Sequence, residues 1–131
     1  MSQENVEIAR AALAVWNAGN WDAMRELYDP SVVWRPPEDW PEGGPTFGLD
    51  AVRRQFEQLR ATWDDDTLEL IGDFIDAADR VIVRFSWRAA GHGPELNMEV
   101  TNVFTLRERR IVFQEVFWDH AKALEAVGLS E

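Results

Sequence analysis

The chain has 131 residues, 13 Lys and Arg against 24 Asp and Glu, a formal charge of −11, and no cysteine. That length supports one domain, over residues 1–131, with its own core. Disulfide and thiolate chemistry are excluded, and so acidic a surface makes nucleic acid and anionic membranes poor partners.

No apolar run approaches the roughly 20 residues of a membrane span, and Met1-Ser2-Gln3-Glu4-Asn5 is unlike a targeting peptide. A soluble, cytoplasmic protein is expected. The compositional anomaly is seven Trp and seven Phe beside a single Tyr.

Residues 2–17 read as an amphipathic helix with Val6, Ile8, Ala9, Ala12, Leu13, Val15 and Trp16 on one side. Ser2 suits its N-cap and Gly19 its stop. Asn20 would cap a second, short helix from Trp21 to Tyr28, which Pro30 ends. Ser31 to Arg35 is a brief β run. Residues 36–48 hold four of the six prolines and three of the eight glycines, an irregular excursion read as a lid or binding loop.

A third helix is expected from Asp50 to Ala61, burying Val52, Phe56 and Leu59. Asp64-Asp65-Asp66 reads as a solvated turn, lacking the spacing of a calcium loop. Period-two patterns follow. Leu68, Leu70 and Phe74 mark a strand with a candidate bulge at Gly72. Val81, Val83, Phe85 and Trp87 face one way on the next, and Gly91-His92-Gly93-Pro94 turns the chain. Met98, Val100, Asn102 and Phe104 share a face, and Ile111 to Trp118 is the last strand. Asp119 can cap a terminal helical turn. Helices followed by antiparallel strands indicate an α+β fold with helices on one face of the sheet.

Four segments carry a resemblance: Trp16-Asn17-Ala18-Gly19-Asn20-Trp21, Leu27-Tyr28-Asp29-Pro30, Phe47-Gly48-Leu49-Asp50-Ala51-Val52 and Arg110-Ile111-Val112. Over nearly its whole length the chain resembles the SnoaL-like group of the nuclear transport factor two superfamily. The resemblance implies a cone-shaped, curved and mostly antiparallel sheet wrapped around three N-terminal helices, the ketosteroid isomerase-like roll, with an apolar pocket inside. It also implies a homodimer through the outer sheet face, where Ile82, Ile111, Phe113 and Phe117 would supply apolar area and Arg84, Arg88 and Glu115 would pair.

The superfamily includes isomerases, epoxide hydrolases, cyclases, dehydratases and non-catalytic proteins, so fold does not choose the function. In ketosteroid isomerase an aspartate base faces a tyrosine and a protonated aspartate. The matching positions here are Pro36, Ala12 and Asn102, and the carboxylate position of the hydrolases and cyclases falls on Val116, with Glu115 one register step away. The acid/base set of those enzymes is therefore not expected.

Asn102 and Gln114 are the inward amides, able to orient a carbonyl but not to act as a general base. Glu115, Arg84 and Arg88 have outward parity. Arg35 ends the first strand beside the Pro-rich loop, as a surface ion pair or at the pocket mouth. His92 belongs to a turn, and His120 is the one imidazole expected near a site.

Neither a metal site nor a cofactor fingerprint is present in the pattern. The expected ligand is a small apolar or ring-bearing molecule held by Ala12, Trp16, Trp34, Phe56, Phe85, Trp87, Val100, Asn102, Gln114, Val116 and Trp118. The alternatives are a cofactor-independent isomerase, cyclase or dehydratase, and a protein-interaction module.

Overall fold

The computed structural model describes residues 2–38, 40, 44–63, 65–91 and 95–129. Helix α1 (Ser2–Ala18) ends at Gly19, whose φ of 66° suits the missing side chain. A 3₁₀ turn (Trp21–Ala23) and helix α2 (Met24–Leu27) follow. The Asn20 side chain makes no capping hydrogen bond. Its backbone carbonyl accepts from Ala23 N at 3.1 Å instead.

Strand β1 (Tyr28–Arg35) starts three residues earlier than the Val-rich run suggests and contains Pro30. Strand β2 (Thr46–Phe47) pairs with it at the sheet edge. Helix α3 (Leu49–Ala61) buries Val52 and Phe56.

Strands β3 (Asp65–Leu70) and β4 (Ile75–Ala77) both run antiparallel to β5 (Arg80–Ala90). Gly72, with φ 71°, lies in the break between them rather than in a bulge within one strand. Strands β6 (Leu96–Arg107) and β7 (Arg110–Phe117) complete the sheet, and helix α4 (His120–Ala126) closes the chain. The tip of the β5–β6 hairpin, with His92, and part of the excursion after β1 lie outside the described residues.

The sheet order is β2-β1-β7-β6-β5-β3, antiparallel except for the parallel pair β1 and β7. This is the expected α+β roll. The main core lies between α1, α3 and the inner sheet face, and takes in Val83, Phe85, Trp87, Val100 and Phe104. A second, smaller cluster sits on the outer face, where Ala123 and Leu124 of α4 cover Ile82 and Val103.

Two expectations about the outer face are corrected. Ile82 points outward but is fully buried under α4. Ile111 belongs to the inner core, because the β6–β7 register shifts between Thr105 and Leu106 and inverts the parity of β7 on either side. Among the described residues no helix is long and apolar enough to cross a membrane.

Candidate functional site

Inside the roll is a cavity of about 90 Å³, counted as the space open to the centre of a water molecule. One water needs roughly 10–15 Å³ by such a measure, so the space is larger than a packing defect. All eleven residues proposed from the sequence line this one cavity. Ala12 and Trp16 come from α1, Trp34 from β1 and Phe56 from α3. Strands β5 and β6 contribute Phe85, Trp87, Val100 and Asn102. Gln114 and Val116 come from β7, with Trp118 just beyond it.

The rings interlock edge to face. Phe56 meets Trp16 at 5.5 Å between centroids and Trp34 at 5.8 Å, a geometry that places the positive edge of one ring against the negative face of the other. Trp40, from the Pro-rich excursion, stands against Trp34 at 6.3 Å and against Trp118 at 6.4 Å. Trp118 is 41% exposed and lies at the rim rather than deep inside. Trp40 and Pro37 are lining residues, so the excursion contributes to the wall. The remaining part of its proposed role as a lid falls on residues 39 and 41–43, outside those described.

The polar side of the cavity is a chain of three side chains. Tyr28 Oη donates to Gln114 Oε1 at 2.8 Å, and Gln114 Nε2 donates to Asn102 Oδ1 at 2.9 Å. All three are buried, with Asn102 at 4% exposure. The adjacent strands make this possible: Asn102 stands opposite Val116 and Phe104 opposite Gln114, so the two amides are diagonal neighbours on the inner face. Burial pushes the Tyr28 phenol above its ordinary value of 10.0, since the phenolate would lose its hydration. It therefore stays protonated.

Sequence reasoning missed Tyr28, because it sits where a helix appeared to end. In the structure that residue opens β1, and the inward parity of Val32 and Trp34 extends back to it across a register shift.

Asp66 is the larger miss. Read as part of a solvated turn, it is buried instead, its side chain 1% exposed. Its Oδ2 accepts from Trp16 Nε1 at 2.9 Å and from Trp87 Nε1 at 3.0 Å, while Oδ1 takes Arg60 Nε at 2.6 Å. Arg60 Nη1 also donates to the Trp16 carbonyl. A buried carboxylate needs partners of this kind. The result is that two indoles of the cavity wall are turned with their N–H groups toward Asp66. The available signal was parity: Asp66 pairs with Ala89, which shares the inner face of β5 with Phe85 and Trp87. Asp64 lies outside the described residues.

The remaining charged candidates are elsewhere. Glu115 pairs with Arg35 at 3.5 Å, and Arg35 lies over the Phe113 ring at 5.5 Å. Arg84 pairs with Glu99 at 2.5 Å and Arg88 with Glu69 at 3.2 Å. His120 Nδ1 is 3.0 Å from Thr101 Oγ1, a residue whose parity is opposite to that of Val100 and Asn102. None of these lines the cavity.

A family model described as a SnoaL-like domain matches residues 9–114. No curated protein matches the sequence. Among solved structures, Bal32a from a soil-derived mobile gene cassette is 23% identical with a TM-score of 0.81, over 88% of each chain. TerC, co-crystallised with polyporic acid, is 20% identical with a TM-score of 0.77, over 95% of this chain and 98% of that one. IdmH from Streptomyces antibioticus, a candidate polyketide cyclase, is 21% identical with a TM-score of 0.71, over 84% of this chain and 88% of that one. At these identities the likeness concerns the fold.

Proposed function

The chain belongs to the SnoaL-like domain family, and from that premise we propose that its cavity binds a small, largely apolar, ring-bearing molecule. One observation carries the reading: six tryptophans, three phenylalanines and one tyrosine, beside the aliphatic residues and two amides, form the wall, with no Asp, Glu, His, Lys or Arg side chain among the described lining residues. Such a wall favours ligands through area burial and ring contacts, with the amides fixing orientation.

The acid and base that ketosteroid isomerase or limonene epoxide hydrolase would need are not supplied by Ala12, Pro36, Asn102 or Val116. A cofactor-independent cyclase or isomerase is the second reading, favoured by the candidate cyclase among the structural neighbours. Its chemistry would rest on positioning and on polarisation by Asn102.

The test is thermal and fluorescent. Apolar bicyclic compounds are expected to raise the melting temperature and quench tryptophan emission of the wild type. Ala12→Trp, which fills the α1 side of the cavity, is expected to abolish both effects while the circular-dichroism spectrum stays the same. A broad apolar library that shifts nothing in the wild type would show a cavity closed to ligands.

A further inference from the structure

The geometry points to a ligand that presents an uncharged oxygen acceptor, a ketone or quinone carbonyl, to the Nδ2 group of Asn102. This rests on reading the cavity as a ring-binding pocket, and it names the polar chemistry that the pocket selects. The starting point is a proton that must go somewhere. The hydroxyl of Tyr28 is buried, and its one hydrogen-bond partner among the described residues is Gln114. A buried hydroxyl donates when an acceptor is within reach, so Gln114 must turn its oxygen toward Tyr28.

Its NH₂ then faces Asn102, whose oxygen accepts. That leaves the Asn102 NH₂, two N–H donors on the cavity wall with no partner among the described residues. The opposite order, with both amides rotated, would strand the Tyr28 proton.

The indoles extend the same bias, because an indole nitrogen only donates. Trp16 and Trp87 are engaged by Asp66, and Trp40 Nε1 is buried without a partner among the described residues. Among the described residues, each side-chain oxygen of the wall already serves in the Tyr28–Gln114–Asn102 chain, and the polar groups with no partner at all are N–H donors. A donor on the ligand would have to share an oxygen already engaged in that chain, whereas an acceptor meets N–H groups that have no partner. A carboxylate could accept from the same N–H groups, but no cation lines the cavity among the described residues and the formal charge is −11. A neutral carbonyl oxygen meets both conditions. The hydrogen-bond chain behind Asn102 also polarises its N–H groups and strengthens them as donors.

Three bicycles of nearly equal size separate the possibilities by calorimetry: indane, with no polar group, 1-indanone, with an acceptor, and indole, with a donor. In the wild type, 1-indanone is expected to bind about fivefold to tenfold tighter than indane, the scale of one neutral hydrogen bond, and indole no tighter than indane. Asn102→Leu is expected to erase the ketone preference while leaving indane affinity within about twofold.

Should that variant fail to fold, Tyr28→Phe removes the hydroxyl that sets the order of the amides, and the preference of 1-indanone over indane is expected to narrow. The carbonyl stretch of bound 1-indanone, read by infrared difference spectroscopy, should move to lower frequency in the wild type and not in Asn102→Leu. Equal binding of indane and 1-indanone, or tighter binding of indole, overturns the acceptor assignment and leaves the pocket reading intact. Binding of none of the three overturns the pocket reading and the assignment with it.

Discussion

Asp66 and Tyr28 are the two side chains on which the cavity depends without either being an apolar wall. Asp66 gathers two indoles and a guanidinium, so its removal strands three donors at once. Breaking a buried pair by deleting one partner costs about 3–5 kcal/mol. Because Arg60 is 25% exposed and water can reach it, Asp66→Ala is expected at the lower end, about 3 kcal/mol by urea denaturation. A cost under about 1 kcal/mol would show that the indoles hold their places without it.

Tyr28 makes a prediction in pH. Its proton is retained by the folded state above the ordinary value of 10.0, whereas the unfolded chain releases it there. Above that pH the unfolded state binds fewer protons than the folded one, so stability falls as pH rises and is intact below it. Since the chain has a single tyrosine, phenolate absorbance is expected to appear together with loss of the circular-dichroism signal. A phenolate that titrates near pH 10 in a fully folded protein would contradict the burial.

Element by element, α4 is the piece with a local and a distant attachment. Asp119 caps it by accepting from Ala121 N at 2.9 Å, and Leu124 and Ala123 press on Ile82 and Val103. Asp119→Ala is expected to cost about 1 kcal/mol, as N-cap removals do, measured by the shift in denaturation midpoint. An unchanged midpoint would mean that packing alone fixes the helix.

The elements that were legible in the sequence are those with an uninterrupted period: α1, α3, β5 and β6 each repeat their apolar residues over three or more turns or pleats, which is a local property. The inward set Phe85, Trp87, Val100 and Asn102 follows from that period alone. What was not legible depends on partners far along the chain. Asp66 looks solvated until Trp16 and Arg60 approach it from two helices. Ile111 looks outward until the register shift beside Leu106 is known, and Tyr28 looks helical until β7 pairs with it.

For the whole molecule, the outer face of the sheet is smaller than the alternation suggested, since α4 covers Ile82 and Ile111 is internal. What remains is a face with Phe113 and Phe117 partly buried and the Arg35–Glu115 and Arg84–Glu99 pairs. We propose that two copies meet there, a self-complementary arrangement in which each patch holds both signs of charge. Light scattering at micromolar concentration is expected to give twice the chain mass of 15.1 kDa, and a particle of one chain mass would refute it.

The parallel pairing of β1 with β7 has a consequence for how the chain reaches this state. Tyr28 and Gln114 are 86 positions apart, and their hydrogen bond joins the first strand to the last. The entropy of closing so long a loop must be offset before any contact across it contributes. The hairpins β5–β6 and β6–β7 are local and can zip early, but they form a surface with no interior. The cavity is complete only when β1 pairs with β7, since Tyr28 and Trp34 of its wall come from β1. Non-local pairing of this kind is expected to make folding slower than that of a helical bundle. The cavity and the pairing of β1 with β7 therefore depend on each other.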